Sequence, residues 1–197
     1  MSELKTNLIT PYAGTTVTMG ESGDTVALAA GATATGFGNP YLHTVQTHVI
    51  VTSSQAISAG TATNITNLNA TITPTAGTKI LVTVRWTGEG SHVDMWDTFF
   101  GIRRDSTLVG DPAAAGVRPV AISVIALGHG NNASTTPDSA FYQYLDSPST
   151  GSAITYHATI LTEAAQTIYN NRSILDIDLG NRPRLTSTIT LQEVVAP

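Results

Sequence analysis

The stretch that decides the fold reads Lys79-Ile-Leu-Val-Thr-Val-Arg-Trp86. Large apolar residues occupy every second position, and alternation with a period of two is the pattern of a strand with one buried face. A second stretch, Ala153-Ile-Thr-Tyr-His-Ala-Thr-Ile160, has the same alternation. The residues predicted to face a core are Ile80, Val82, Val84 and Trp86 in the first stretch, and Ile154, Tyr156, Ala158 and Ile160 in the second.

Strand-like runs separated by turn residues continue on both sides of these stretches. The predicted strands cover residues 45–53, 65–73, 79–87, 95–104, 119–128, 139–146, 153–162 and 186–195. Their spacing is typical of an antiparallel sandwich or barrel. Residues 139–161 are predicted to form a hairpin whose reversal is Asp146-Ser-Pro-Ser-Thr-Gly151, because proline presets φ and glycine tolerates positive φ. The chain is therefore predicted to be all-β.

Composition narrows the class of protein. The 197 residues are enough for one full domain with a short appendage, and charged residues make up 12% of them against about 25% in an average globular chain. Net charge is −5, and the nine basic residues are scattered apart from Arg103 and Arg104. No basic stripe is present to follow a phosphate backbone, so we expect no nucleic-acid binding.

The absence of cysteine excludes disulfides, thiolate metal sites and cysteine nucleophiles, and it fits folding in a reducing cytoplasm. No window approaches the roughly 18 apolar residues that cross a bilayer, and no apolar leader follows a basic start. We therefore expect neither secretion by a signal peptide nor membrane insertion.

Two short segments repeat near the N-terminus. Residues 14–20 and 23–29 each place two apolar side chains in alternation, Val17 with Met19 and Val26 with Leu28. Two such rungs cannot bury their apolar face alone, so the simplest partner is the same segment of another copy; the alternative is a flexible Gly/Thr linker. With Gly36-Phe-Gly-Asn-Pro40 as a hinge, we predict an attachment peptide and short β-stem over residues 1–38 and a head over residues 39–197.

One acidic cluster invites a catalytic or metal-binding interpretation: Glu89-Gly-Ser-His92-Val-Asp94-Met-Trp-Asp97. Calcium takes six to eight oxygen ligands, usually from a regular ladder that this run lacks. A glycosidase needs two carboxylates roughly 5–10 Å apart across a cleft. Nothing in the sequence pattern places Asp94 and Asp97 at that separation. The cluster is predicted to be a solvated loop.

No other motif indicates an enzyme. A Gly-x-Ser-x-Gly elbow is absent, and Gly88-Glu-Gly90 and Gly128-His-Gly130 are interpreted as turn glycines without a following helix that could hold a phosphate. Asp176-Ile-Asp178 is interpreted as an exposed acidic turn or edge. We predict no catalytic residue, no metal site and no cofactor.

Three segments carry a resemblance to a known family: residues 75–104, the run FYQYLDSPSTGSAITYHATI over residues 141–160, and the closing strand TSTITLQEV over residues 186–194. Together they resemble the heads of tailed-bacteriophage fibre proteins, a family similar to the jelly rolls of the complement globular heads and of tumour necrosis factor. The leader over residues 14–38 resembles the short β-rich stems that precede such heads.

The resemblance implies a jelly-roll sandwich and a homotrimer. In such families, aromatic and aliphatic residues on one sheet pack along the threefold axis. Six aromatic residues are available to pack either in the core of one subunit or between subunits along the axis: Trp86, Trp96, Phe99, Phe100, Tyr142 and Tyr144.

The expected function is that of a structural virion protein, a small fibre or spike whose N-terminus docks on other virion proteins and whose head contacts the host surface. The alternative is a capsid-decoration (cement) protein that reinforces the shell. A free carbohydrate-binding module ranks third, because Phe37, Tyr41 and Tyr169 are the only plausible loop aromatics. We expect the protein on the virion exterior after synthesis in the host bacterial cytoplasm.

A recognition surface, if the head carries one, is predicted in two long polar loops, residues 129–138 and 170–173. Their side chains offer donors and acceptors suited to a host surface glycan. The candidate receptor-binding residues are His129, Asn131, Asn132, Asn170, Asn171 and Arg172.

Overall fold

The computed structural model describes residues 41–91, 97–114, 116–125 and 135–194. Contacts between Cα atoms divide the chain into residues 1–38 and residues 39–197, and the second unit is described below. The predicted attachment peptide and stem lie outside the described residues, so the stem stays a prediction.

Eleven strands make up the described part of the chain. They are β1 (Tyr41–Val49), β2 (Ser53–Ile57), β3 (Thr63–Ile72), β4 (Lys79–Gly90), β5 (Thr98–Arg104), β6 (Thr107–Val109), β7 (Ser123–Val124), β8 (Asp138–Asp146), β9 (Ile154–Thr162), β10 (Gln166–Asn170) and β11 (Ser187–Val194). Neighbouring strands pair antiparallel, and the described residues contain no helix. The prediction of an all-β, antiparallel fold is confirmed.

The strands form two sheets. In the first sheet, β1, β11, β4 and β8 lie side by side, and the short pair β2 and β10 extends the sheet from the last residues of β4. In the second sheet, β3, β9 and β5 are neighbours, and both β6 and β7 pair with the outer edge of β5. The apolar core draws on side chains from both sheets.

Core packing follows the alternation seen in the sequence. The predicted inward residues of β4 and of β9 are all buried, from Ile80 to Trp86 and from Ile154 to Ile160. The Trp86 ring lies 5.1 Å from that of Phe100, which lies 6.1 Å from that of Tyr142. Trp86, Phe100 and Tyr142 are thus core residues of one chain, because their buried rings contact each other in tilted pairs between the two sheets.

The predicted hairpin over residues 139–161 is wrong. β8 pairs with β4 in the first sheet, whereas β9 pairs with β3 and β5 in the second, so residues 147–153 cross from one sheet to the other. Proline and glycine mark a change of chain direction, but they do not specify which sheet receives the next strand. Ser149 adopts a positive φ of 52° in this crossing.

Strands without strong apolar alternation were missed. The sequence did not predict β2, β6 or β10, and the predicted strand over residues 119–128 reduces to Ser123–Val124. The turn predicted at Gly88-Glu-Gly90 is also wrong, because β4 continues through these residues to Gly90. A Cβ on Gly88 would collide with the Tyr169 carbonyl and the Trp86 ring, so glycine lets β10 approach β4 closely.

The head has two ends that the pairing register distinguishes. Tyr41 pairs with Val194 at the end where the preceding chain joins the head, and Val49 pairs with Ser187 at the opposite end. The distal end is defined as the end opposite Tyr41, formed by residues 50–52, 88–91, 135–138 and 171–186. β4 and β11 run antiparallel, so β4 ends there and β11 begins there.

Candidate functional site

Buried polar groups organise the distal end, and Glu89 is the only acidic one among the described residues there. Its Oε2 accepts a hydrogen bond from the Ile174 amide at 2.7 Å, and its Oε1 accepts one from the Thr136 amide at 3.4 Å. The prediction that Glu89 lies in a solvated loop is wrong, because the residue belongs to β4 and is 3% exposed. Its carboxylate therefore fastens two loops to β4.

The remainder of the predicted acidic cluster is only partly described. His92 and Asp94 lie outside the described residues, while Asp97 is exposed and its carbonyl accepts a hydrogen bond from Glu163 N at 3.2 Å. Within the described ranges, no group of three or more histidine or acidic side chains could share a metal ion.

Asn171 is the centre of the distal hydrogen-bond network. Its side-chain amide donates to the carbonyls of Val49 and Val51, both at 3.0 Å, and its Oδ1 accepts from Ser187 Oγ at 2.7 Å and Thr87 Oγ1 at 3.3 Å. The residue is fully buried with φ of 60°, a left-handed conformation that asparagine adopts more readily than most residues. One amide thus joins the β1–β2 loop to β4 and β11.

Asn170 is buried in a similar way. Its Oδ1 accepts the indole N–H of Trp86 at 2.7 Å, and its amide donates to Ser53 Oγ at 3.1 Å. Asn170 and Asn171 were predicted to belong to an exposed recognition loop, and that placement is wrong because both side chains are enclosed and occupied. A buried tryptophan requires an acceptor for its N–H, but the sequence does not reveal which residue supplies it.

Among the described members of the predicted recognition set, Arg172 alone is partly exposed to solvent. Its guanidinium donates to the carbonyls of Ser173 and Ile174 and lies 4.6 Å from the centre of the Tyr169 ring. Tyr169, considered a loop aromatic, belongs to β10 and has this cation over its face. His129, Asn131 and Asn132 lie outside the described residues, so their role stays a prediction.

The distal end exposes five large aliphatic side chains that the sequence pattern did not indicate. Ile50 and Val51 are each 65% exposed in the β1–β2 loop, and three more large apolar residues are exposed in the loop that follows β10: Leu175, Ile177 and Leu179. The interpretation of Asp176-Ile-Asp178 as an exposed segment is confirmed. Asp176 pairs with Arg184 at 2.8 Å.

A second exposed surface is the outer face of the first sheet. The register aligns its side chains in three rows: Thr44, Gln192, Leu81 and Leu145; Gln46, Thr190, Thr83 and Gln143; His48, Thr188, Arg85 and Phe141. None of them is a carboxylate. Phe141 is 63% exposed and Leu145 is also exposed, both on β8. In the middle row, Gln46 donates to Thr190 at 2.7 Å and Gln143 donates to Thr83 at 3.0 Å.

A partly buried ion pair joins the two sheets at the end near Tyr41. Asp146 in β8 accepts hydrogen bonds from Arg104 of β5 at 2.7 Å and from the Tyr156 hydroxyl of β9 at 2.6 Å, both on Oδ2. Burial, followed by the hydrogen bond to Asp146, raises the pKa of Tyr156 above its ordinary value. With the phenol held protonated and enclosed, the arrangement stabilises the sandwich and offers no accessible acid or base.

Two cavities are lined by described residues, and one is small while the other is open. One cavity beside β5, lined by Asp111, Gly101 and Thr159 among others, has a volume of about 10 Å³, which is about the smallest that can hold one water molecule. Burial raises the pKa of Asp111, whose Oδ1 has no hydrogen-bond partner among the described residues. An open apolar groove lies between Phe99, Pro112 and Val124. Neither combines a nucleophile, a base and a substrate-sized enclosed space.

Comparisons with known proteins add no family assignment: no family model and no curated protein matches the chain. In the described part of the chain, no helix has the length and apolar character needed to span a bilayer.

Proposed function

We propose that the chain is a structural, non-enzymatic virion protein of a tailed bacteriophage, a small fibre or spike whose head is a homotrimer. The observation that carries the proposal is the set of three aligned rows on the outer face of the first sheet, which contain no carboxylate and expose Phe141 and Leu145 on β8. Such a face is suited to burial against other copies of the same head.

The energetics of this face favour assembly. Burying a large apolar side chain contributes about 1.5–3 kcal/mol. A partner that covers Phe141 and Leu145 would therefore form a more stable complex. The glutamine and threonine side chains of the middle row already hydrogen-bond to each other, which limits the cost of removing them from water. A closed ring of copies buries this face in every subunit.

The order of the strands supports a jelly-roll head. Counting β1, β3, β4, β5, β7, β8, β9 and β11 as strands one to eight gives the orders 1-8-3-6 in the first sheet and 2-7-4-5 in the second. These orders are the ones expected of an eight-stranded double Greek key, which supports the jelly-roll proposal. A jelly roll hosts many functions, so the virion assignment depends on the resemblance of residues 75–104, 141–160 and 186–194 to phage fibre heads.

Light scattering coupled to size exclusion tests the trimer with the full-length protein. We expect the mass of three chains for the wild type and of one chain for the double variant Phe141→Glu/Leu145→Glu. The matched control Val117→Glu changes a fully exposed residue in the loop after β6 and should keep the trimer mass. A wild-type mass of one chain at micromolar concentration would overturn the trimer.

Locating the protein in a purified particle tests the proposed fibre function. Gold-labelled antibodies should mark a tail or another projecting structure in negative-stain images. Label spread evenly over the capsid shell would replace the fibre with the decoration protein, and no label on the particles would overturn the virion assignment.

A further inference from the structure

The loop after β6 contains the only Asp–Pro peptide bond of the chain, between Asp111 and Pro112. The two residues differ in their surroundings, because Asp111 is half-buried whereas Pro112 is exposed. Asp111 Oδ1 is fully enclosed and has no hydrogen-bond partner among the described residues. An enclosed, unsatisfied carboxyl oxygen thus lies directly before an exposed proline.

The carboxyl of Asp111 lies over the outer face of the second sheet, where Gly101 leaves room for it. A Cβ on Gly101 would lie 3.7 Å from Asp111 Oδ1 and 3.0 Å from Thr159 Oγ1. Asp111 and Thr159 both line the cavity of about 10 Å³ at this point. The other lining residues, from β5, β6, β9 and the neighbouring loops, have no titratable or charged side chain. None of them can compensate a negative charge on Asp111.

This environment favours the neutral form of the carboxyl. Burial without a donor disfavours a carboxylate, and it raises the pKa of Asp111 above its ordinary value. The backbone before Asp111 is also constrained, since Gly110 has a φ of 80° and a Cβ there would collide with the Tyr144 ring. The fold therefore keeps a proton on Asp111 in weaker acid than an unfolded chain would, and it holds the loop in one place.

A protonated aspartate before proline has the groups needed to break its own peptide bond. A side-chain oxygen attacks the Asp111 carbonyl carbon and closes a cyclic anhydride, as a carboxyl nucleophile can. The bond from that carbon to the Pro112 nitrogen breaks, and the nitrogen takes the electron pair and the carboxyl proton. Water then opens the anhydride, which leaves Asp111 as a new C-terminus and Pro112 as a new N-terminus. Proline suits this step because its nitrogen leaves as a basic secondary amine.

We propose that the folded chain cleaves itself at the Asp111–Pro112 bond in mild acid, with the enclosed Asp111 carboxyl as the reacting group. The reaction is intramolecular, and holding reacting groups in place is a large source of rate enhancement. This inference does not depend on the fibre function, because every group that reacts belongs to one loop of one head.

Cleavage at this bond would not divide the head. Every described strand after the bond pairs with a strand before it: β7 with β5, β8 with β4, β9 with β3 and β5, β10 with β2 and β4, and β11 with β1 and β4. The two fragments are therefore expected to stay together as one folded unit, with the loop after β6 opened.

The test follows full-length protein by intact-mass spectrometry, at the lowest pH at which its circular dichroism spectrum is that of the neutral protein. We expect fragments that end at Asp111 and begin at Pro112. They should form at least about tenfold faster than in urea at the same pH, a small part of what fixed geometry can contribute. The rate should fall as the pH is raised to neutrality, because the carboxyl then loses its proton.

Two variants of exposed prolines separate this chemistry from a general weakness of the loop. Pro112→Ala keeps Asp111 but removes the better leaving group, and it should slow cleavage by about tenfold or more. The matched control Pro119→Ala, in the same loop, should cleave like the wild type. Size exclusion of the cleaved wild type should give one peak that contains both fragments.

The contrary results are equally direct. Cleavage that is as fast in urea as in the folded protein would show that the fold does not promote the reaction, and this would overturn the proposal. So would the absence of fragments from the folded wild type, or a wild-type rate in Pro112→Ala. Fragments that elute separately would contradict the expectation that the cleaved head stays assembled.

Discussion

The middle of the sandwich and its distal end both contain fully buried side chains, but these side chains differ in kind. In the middle, residues such as Val82, Val84 and Ile160 pack without polar groups. At the distal end, Thr87, Asn171 and Ser187 are equally buried, and hydrogen bonds link them. Apolar packing in one region thus gives way to a polar network in the other within the length of one strand, β4.

The two regions are stabilised by different physics. Burial of apolar area tolerates changes that preserve volume, because the interaction has no direction. A buried polar network stabilises only when each donor and acceptor is satisfied, and the loss of one member leaves its partners without hydrogen bonds in a low dielectric. We therefore expect the middle to set the stability of the head and the distal end to set the positions of its loops.

The largest effect should come from Trp86, which belongs to both regions. Trp86→Ala removes the stacking with Phe100 and the hydrogen bond to Asn170, and we expect a loss of about 3–5 kcal/mol in the free energy of unfolding. Trp86→Phe keeps most of the packing but leaves the Asn170 Oδ1 without its donor, at a cost of about 1–3 kcal/mol. Denaturant titration measures both; equal losses would show that the polar contact dominates even at this shared residue.

A smaller, more local effect is expected from Asn171→Ala. The change removes four hydrogen bonds at one buried position, and we expect a loss of about 2–3 kcal/mol. Hydrogen exchange should accelerate at the Leu185 amide, which bonds to the Asn171 carbonyl, and stay slow at Ala158 in β9. Asn181→Ala, at an exposed position of the same loop, should leave both amides unchanged. Acceleration at Ala158 would show that the two regions do not open separately.

The free energy of unfolding should depend on pH through Glu193, a buried carboxylate at the end near Tyr41. Burial alone would raise the pKa of Glu193, but hydrogen bonds from Thr75 and Thr78, together with the positive field of His43, hold it below its ordinary value of 4.5. The stabilisation is therefore present above pH 4.5 and is lost as the pH falls through the lower folded-state pKa. Glu193→Gln should unfold more easily than the wild type at pH 7 and equally easily in strong acid. A constant difference across this range would contradict the linkage.

The smallest effect should be that of Ile177→Ser on stability. Ile177 is exposed, so the free energy of unfolding should change by no more than about 0.5 kcal/mol. Ile168→Ser alters a fully buried residue of β10 in the same part of the head and serves as the buried comparison, with an expected loss of several kcal/mol. A large loss for Ile177→Ser would mean that this side chain is part of the core.

The sequence predicted the middle of the sandwich far better than the distal end. Alternation in β4 and β9 identifies core residues directly, because each apolar side chain reports its own burial. The functions of Glu89, Asn170 and Asn171 depend on partners that lie about 15 to 120 positions away along the chain, and no local pattern encodes such pairings. Polar residues in a loop-like run were therefore interpreted as solvated.

The local sequence pattern also could not predict which of the two sheets each strand joins. The run over residues 139–161 carries correct strand signals for β8 and β9, and only the tertiary pairing shows that they enter different sheets. Short strands such as β2 and β10 form because β4 extends far enough to receive β10, which glycine at position 88 permits. The exposure of Leu175, Ile177 and Leu179 was missed because isolated apolar residues next to aspartates do not show whether a core covers them.

The place of β1 beside β11 has a consequence for synthesis on the ribosome. Among the described strands, β11 is the sole hydrogen-bonding neighbour of β1, so Tyr41–Val49 has no strand to pair with until residues 187–194 have emerged. At roughly 5–20 residues per second, that delay is on the order of ten seconds. Throughout that time the nascent chain presents an open strand edge, which is the state most exposed to aggregation, so slower folding and a need for chaperone protection follow from this one pairing.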